Sequence, residues 1–550
     1  MLGVSKRGPS PSAPAAILVY LLLVITILVA CEAQQSGPKP QGPDLVKGGT
    51  IVYGAAADAK SLNPFLITDA NSRIVSNLIF ESLVTADAKT GAPRPLLAES
   101  WTISDDGLTY TFKMRQGAKW HDGTPVTAED AKFTYETILH PNTKTVRKSL
   151  YDQVRKFSTP DKDTLVVELK ESFCPFLISG MGMPIVPKHI LEKSADINTD
   201  EFNTDKPVGT GPFVLKEWTR DDHITLAANK DYWGAAPNLD SFIFKVVKDV
   251  NVIATQLKTE ELDVGEFTSQ PQLFSELQSA SGLNVYDYSA LEYTFLAYNM
   301  SRTFFQDKKV RQAMTIGLNR DKLLETLLHG KGEPMYSHIP QISWAYDSNL
   351  PRFRYDPNKA QQLLQEAGYT KGADGLLKDM DGKQIKLNIY TSSGNKVREG
   401  VATVAKEQFK ELGIDVTIQL EQFTALVDRM NKSRDFDMVV IGWSLGPDPD
   451  SKSIWHSSQR GEGGLNVINY VNPEVDQLLD QGRTLPGCDQ SERKEIYSRF
   501  QRILADDQPY NFLFAPKILF GVNSRFQHID PSSWSGMFWN IKDWYSTTGK

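Results

Sequence analysis

From about residue 48 onward, the chain alternates between two hydrophobic periods. Thr50-Ile51-Val52-Tyr53 reads as a short strand running into a loop at Gly54–Asp58, and Ile74, Leu78 and Ile79 mark one face of the helix that follows. Leu108–Met114 and Leu165–Leu169 are strands of a mainly antiparallel region. Between them, Thr127-Ala128-Glu129-Asp130 has the form of a capping box, predicting a helix to about Leu139 that stops before Pro141. In the second half, Asp356-Pro357 opens a helix that Gly368 closes. Val397, Val401, Val404 and Phe409 recur at helical spacing as far as Gly413, and Ile414, Val416 and Ile418 then alternate as a strand. A helix over Phe423–Met430 and a buried strand over Phe436–Ile441 complete a βαβ unit, whose two strands must be parallel. The pattern indicates an α/β body. In open α/β sheets, ligands bind beyond the carboxyl ends of such strands. The last strand delivers Gly442-Trp443-Ser444-Leu445-Gly446-Pro447-Asp448-Pro449-Asp450 to that edge, which makes this the first segment to examine for a site.

One stretch breaks the pattern. Lys6 and Arg7 precede an apolar run from Ala15 to Ala30, interrupted only by Thr26. It is shorter than the roughly 20 residues needed to cross a hydrocarbon core, and it matches the apolar part of a signal peptide. It ends in Leu28-Val29-Ala30-Cys31, which looks like a bacterial lipobox. On that reading residues 1–30 are removed, Cys31 is acylated, and residues 31–47 form a polar tether rich in Gln, Pro and Gly. The protein is then expected outside the cytoplasm, lipid-anchored to the cell membrane.

Length and charge narrow the function classes. At 550 residues the chain exceeds what one core holds, so two lobes or more are expected. A net charge of −7 lacks the basic footprint of a nucleic-acid binder. Three cysteines exclude a disulfide scaffold and a multi-cysteine zinc module. Beyond Cys31, Cys174 and Cys488 lie far apart and fall in different lobes on the assignment below, so two buried, unpaired thiols are expected. A search for catalytic signatures finds no Walker loop, no His-Glu-x-x-His and no Gly-x-Ser-x-Gly. No two of the eight histidines stand at i, i+4, and neither a metal nor a cofactor is expected. Lys119-Trp120-His121-Asp122-Gly123 reads as a turn rather than an acid/base site. Asp374-Gly375 to Asp381-Gly382 fails the spacing of a calcium loop and reads as a hairpin with Asp-Gly turns. Gly461-Glu462-Gly463-Gly464 reads as a surface loop. Asp448 and Asp450 admit three roles: acceptors for a ligand's amine or hydroxyls, a structural loop, or the carboxylate pair of a secreted glycoside hydrolase.

Several segments together resemble the extracytoplasmic solute-binding proteins of peptide-type ABC importers, the family 5 group that binds oligopeptides and dipeptides. They include Gly48-Gly49-Thr50-Ile51-Val52-Tyr53-Gly54, Ser61-Leu62-Asn63-Pro64, Leu97-Ala98-Glu99-Ser100-Trp101, Asp106-Gly107-Leu108-Thr109-Tyr110-Thr111-Phe112 and Lys119-Trp120-His121-Asp122-Gly123. Thr127-Ala128-Glu129-Asp130, Gly209-Thr210-Gly211-Pro212-Phe213, Asp231-Tyr232-Trp233-Gly234, Val310-Arg311-Gln312-Ala313, Tyr355-Asp356-Pro357 and Asp506-Asp507-Gln508-Pro509 continue the match in order.

This resemblance implies an α/β, two-lobed periplasmic-binding-protein fold (type II, cluster C) with an extra α+β subdomain on lobe one. Lobe one would comprise 48–85, 206–298 and 517–550, the subdomain 86–205, and lobe two 299–516. The chain would cross between lobes near Ala297-Tyr298-Asn299 and Phe514-Ala515-Pro516. Family members are not enzymes: the loaded form docks on a membrane permease, and cytoplasmic ATPases supply the energy. A monomer that captures peptides, or alternatively an oligosaccharide or other neutral oligomer, is implied. Peptide binders of the group carry an aspartate three residues after the tryptophan matching Trp443, where it pairs with the ligand's α-ammonium; here that position is Gly446. The expectation is therefore that Trp443 forms an apolar wall and Asp448, or else Asp450, provides the charge. Backbone groups of Ser444–Gly446 would pair with the ligand, and Tyr298 and Asn299 would contact it from the hinge.

Overall fold

The computed structural model describes Gly3 and residues 46–461 and 464–548. Apart from Gly3, the residues read as a signal peptide, Cys31 and nearly all of those read as a tether lie outside the described residues, as do Glu462 and Gly463 of the glycine loop. Residues 46–550 form one unit, distinct from residues 1–45. No helix among the described residues is long and apolar enough to cross a membrane.

The capping chemistry legible in the sequence is present. Thr127 and Asp130 form the reciprocal box that starts the helix Ala128–Leu139. The Asp356 side chain accepts the Lys359 N–H at the head of Pro357–Glu366. Asn395, which the sequence reading did not single out, does the same for Arg398 at the head of Lys396–Glu411. Thr370–Lys371 pairs with Leu377–Lys378 across the Asp374-Gly375 turn, as the hairpin reading requires.

One large sheet runs through the molecule. From one edge its strands are Asp415–Glu421, Lys386–Ser392, Met438–Ser444, Glu292–Tyr298, Tyr510–Asn523, Val264–Glu266, Thr50–Ala55, Ser241–Val246, His223–Ala228 and Phe213–Thr219. The two strands of the anticipated βαβ unit are parallel, but they are not neighbours: each pairs in parallel with opposite sides of Lys386–Ser392. That strand precedes both, so the crossover passes over it.

Cores divide where the sheet changes company. Two apolar clusters take their buried residues only from 51–277 and 519–544, and two others only from 293–515. The 14-residue strand Tyr510–Asn523 belongs to both halves: residues 510–514 pair with Glu292–Tyr298, and 517–523 pair with Leu283–Ser289. Pro516, Lys517 and Ile518, where the partner changes, are only half-buried in an otherwise buried strand. The other change of partner does not fall at Ala297–Asn299. Glu292–Tyr298 pairs along its whole length with Met438–Ser444 of lobe two, which moves the crossing back to Ala290–Leu291. An apolar strand reads alike in either lobe; only its pairing partner distinguishes them.

The subdomain is a four-stranded antiparallel sheet in the order Ala98–Ile103, Thr109–Met114, Thr164–Leu169, Val154–Asp161. Its buried side chains, Phe112 and Tyr135 among them, join the same cluster as Ile51 and Phe242 of lobe one. Cys174, just beyond this sheet, is disulfide-bonded to Cys488 of lobe two, with Cα atoms 5.3 Å apart. The expectation of two unpaired thiols is thereby corrected. The two cysteines are far apart in sequence, but the subdomain and lobe two meet at this seam: the Cys174 N–H donates to the Arg483 carbonyl (2.9 Å), and Ser172 Oγ donates to the Leu485 carbonyl (3.2 Å).

Two buried polar groups anchor the turns of lobe one. His121 accepts from the Gly209 N–H at Nδ1 and faces the Gly211 carbonyl with Nε2; burial drives its pKa down to about 4, so it is a neutral clamp and not a proton shuttle. Glu81 accepts from Tyr232, Trp233 and Thr210, yet burial outweighs these bonds and lifts its pKa to about 7. A carboxyl that holds its proton more tightly when folded makes stability fall as pH rises from about 4.5 through 7, by about 3 kcal/mol in all. In thermal melts across pH 5–8, Glu81→Gln is therefore expected to flatten this decline; parallel profiles for variant and parent would refute the assignment.

Candidate ligand-binding site

Between the two lobes lies a cavity of about 400 Å³. Lobe one contributes Tyr53, Asn71 and Glu266 to its wall, and lobe two contributes Glu292, Arg398 and Trp443. It opens at the carboxyl end of Met438–Ser444, the edge where the sequence places a site.

Trp443 is held as a rigid panel. Its ring stacks on Phe295 (centroids 6.1 Å apart, 19° between planes), and Phe295 stacks in turn on Tyr510 at 4.1 Å. Ser444 continues the same wall, exposed to the cavity. Arg398 enters from the first turn of Lys396–Glu411, beneath its cap Asn395, which also lines the cavity. Its Nη2 stands 3.1 Å from where a Cβ on Gly442 would sit, so the missing side chain at 442 makes room for the guanidinium. Burial lowers the Arg398 pKa and Glu292 offsets part of that shift; an arginine nonetheless stays charged. Burial raises the pKa of Glu292, against the pull of Arg398 and Arg73. Burial likewise raises that of Glu266, a shift that Thr268 opposes and Glu292 reinforces. Among the described residues, none of these three cavity charges has an ion-pair partner within 4.0 Å.

The sequence-derived candidates divide sharply. Trp443 and Ser444 line the cavity. Gly446, Asp448 and Asp450 instead border a separate space of about 30 Å³ behind it, room for about one water. Asp448 is locked in a two-pronged ion pair with Arg493 (both contacts 2.8 Å), each side chain only 6% exposed. Burial works against the Arg493 charge, but Asp448 overrides it and raises the guanidinium pKa above its usual range. Asp450 faces Arg483 at 3.5 Å. The loop is thus fastened to the helices Pro473–Thr484 and Gln490–Asp507. The expectation that Asp448 or Asp450 offers its charge to a ligand is corrected: an internal arginine occupies each. Tyr298 and Asn299 are corrected too. Tyr298 is fully buried against Phe305 (5.1 Å), and Asn299 Nδ2 donates to the Arg434 and Phe436 carbonyls, so both serve lobe-two packing. Asp448→Ala should leave Arg493 buried without a partner and lower stability by about 3–5 kcal/mol, as read by chemical denaturation; a loss below 1 kcal/mol would contradict the buried pair.

Glu266, Glu292, Arg398 and Asn395 escaped the sequence reading. A weak signal existed for two of them: Asn395 is an N-cap with Arg398 in the turn it starts, a charge placed at a helix head.

The chain as a whole has counterparts among known proteins. The model of the bacterial extracellular solute-binding proteins, family 5, matches residues 92–464. The chain belongs to that family. The oligopeptide-binding protein AppA of Bacillus subtilis is 36% identical over 522 residues, covering 91% of this chain and 93% of AppA. The solved structure of AppA in complex with a nonapeptide superposes with a TM-score of 0.79 at 34% identity, covering 92% of this chain and all of that one. DppA of Helicobacter pylori, solved in complex with the peptide STSA, reaches 0.77 at 26% identity, covering 92% and 99%. The two-lobed fold and the extracytoplasmic place implied by the sequence are those of the family, whose members are binding proteins of ABC transporters and not enzymes. The glycoside-hydrolase alternative therefore falls, and its two carboxylates are the ones tied up by Arg493 and Arg483.

Proposed function

We propose that this protein is the receptor of an ABC importer, that it captures short peptides by closure of its lobes, and that it passes them to a membrane permease while tethered by lipid at Cys31. The observation that carries the cargo is the set of unpaired charges in the cleft. A peptide is a zwitterion with an amide backbone. Arg398 is the group for its carboxylate, able to hold both oxygens at once. Trp443 provides a flat wall on which a side chain packs, and Ser444 presents polar groups for the ligand's amides. A neutral oligosaccharide would leave Arg398 and both glutamates desolvated without a partner, an expensive arrangement. A volume of about 400 Å³ stands toward the low end of pockets for drug-sized molecules, which favours a short peptide over a long one. Closure about Pro516–Ile518 and Ala290–Leu291 is favoured only as far as the ligand binds the closed form more tightly than the open one.

Mass spectrometry of whatever co-purifies with the protein tests the proposal, followed by calorimetry with the molecules found. Recovery of short peptides that bind without being cleaved is the expected result. Recovery of sugars alone, with no peptide binding, would overturn the peptide reading and leave family membership untouched.

A further inference from the structure

We propose that Glu292, faced across the cleft by Glu266, is the ammonium-binding element of this pocket, and that a cation seated between the two carboxylates is what makes lobe closure favourable. This rests on the peptide reading above and deepens it.

Three observations lead here. First, the loop beyond Trp443 cannot provide the acid: Gly446 has no side chain, and Asp448 and Asp450 are claimed by Arg493 and Arg483. Second, strand register brings another acid to the same spot. Glu292 lies directly opposite Ser444 in the antiparallel pair, and the Leu445 N–H donates to the Leu291 carbonyl at 2.6 Å. The neighbouring strand thus restores a carboxylate beside the tryptophan wall. Third, Glu266 reaches the same cavity from the other lobe, on the strand Val264–Glu266, whose residue Glu266 is paired with Phe520.

Other enclosed carboxylates are satisfied by the protein itself, Glu81 through hydrogen bonds from Tyr232, Trp233 and Thr210 and two more through ion pairs. Asp263 is held by Arg525 at 2.7 Å, and Asp287 by Lys331 and Lys517 at 2.8 and 2.7 Å. Glu266 and Glu292 have no such partner among the described residues, although both line one cavity from two lobes. Two like charges drawn together out of water oppose closure. An ammonium between them satisfies both and reverses the sign, while Arg398 takes the carboxylate. An uncharged amide in the same place leaves the repulsion standing. Selectivity for a free amine then comes from the closing step as well as from the contact itself.

The test uses a randomised tripeptide library, free or N-acetylated, presented to the full protein. Retained peptides are read by mass spectrometry, and calorimetry follows on the best-retained sequence in both forms. Parent protein is expected to prefer the free amine by roughly 10- to 100-fold. Glu292→Gln is expected to lose that preference by weakening only the free-amine form, and Glu266→Gln to reduce it. Without ligand, Glu266→Gln should melt no lower than the parent, because it removes a like charge near Glu292; a merely structural carboxylate would melt lower when replaced. Equal binding of free and acetylated peptides by the parent would overturn the proposal while the peptide reading stood. Retention of the full preference by Glu292→Gln would also overturn it. Failure to retain any tripeptide in either form would take down the peptide reading, and the proposal with it.

Discussion

Replacing Cys174 and Cys488 together with serine is expected to lower the unfolding free energy by about 2–5 kcal/mol and to let the lobes part more widely. The bridge spans 314 residues of sequence, and long closed loops are where a cross-link most restricts the unfolded chain. Its place matters as much as its length. It joins the strand-to-turn segment of the subdomain to the turn Pro486–Cys488, which precedes the helix Gln490–Asp507 of lobe two. The subdomain shares its core with lobe one, so the bridge ties the lobes together at a point away from the two hinge strands. Arg483 strengthens the same seam by lying over Phe173 at 4.4 Å. An extracytoplasmic protein keeps such a bond oxidised. Denaturant titration of the parent with and without reductant, beside the double-serine variant, measures the first effect; small-angle scattering without ligand measures the second. Unfolding curves that coincide would show that the bridge does not form.

Arg398→Ala is expected to weaken peptide binding by roughly 30-fold or more, the consequence of removing one partner from an enclosed charge pair. Arg398→Lys should recover part of the loss, because an ammonium retains the charge but not the two-pronged geometry. Arg398→Lys keeps a positive charge near Glu292, so its unliganded form should melt close to the parent. Calorimetry with a short peptide and with its C-terminally amidated form decides the assignment: the parent should discriminate between them and the alanine variant should not. Equal losses for both forms would mean that Arg398 packs against the ligand without reading its carboxylate.

The local chemistry was written plainly along the chain. Caps at Thr127 and Asp356, the Asp-Gly turns, and the alternation of Ile414, Val416 and Ile418 each depend on residues within a few positions of one another. So does the direction of Met438–Ser444 toward a ligand-facing edge, and the wall residue Trp443 followed from it. The role of Asp448 was not accessible in the same way. Its two neighbours in sequence are prolines, and nothing nearby announces that Arg493 will reach it from a helix 45 residues on. A carboxylate looks the same in a sequence whether it is free or already neutralised.

By itself, then, the sequence determined the elements and the strand end that borders the cavity, because periodicity, caps and turns are short-range physics; the two-lobed class followed from chain length and from the family resemblance. Tertiary structure decided which charges remain for a ligand, for a longer-range reason. Ion pairing is settled by distances between elements far apart in the chain. Strand register set Glu292 beside Ser444, the space above Gly442 admitted Arg398, and the seam with the subdomain brought Cys174 to Cys488. Each depends on a contact that no segment of the sequence contains alone.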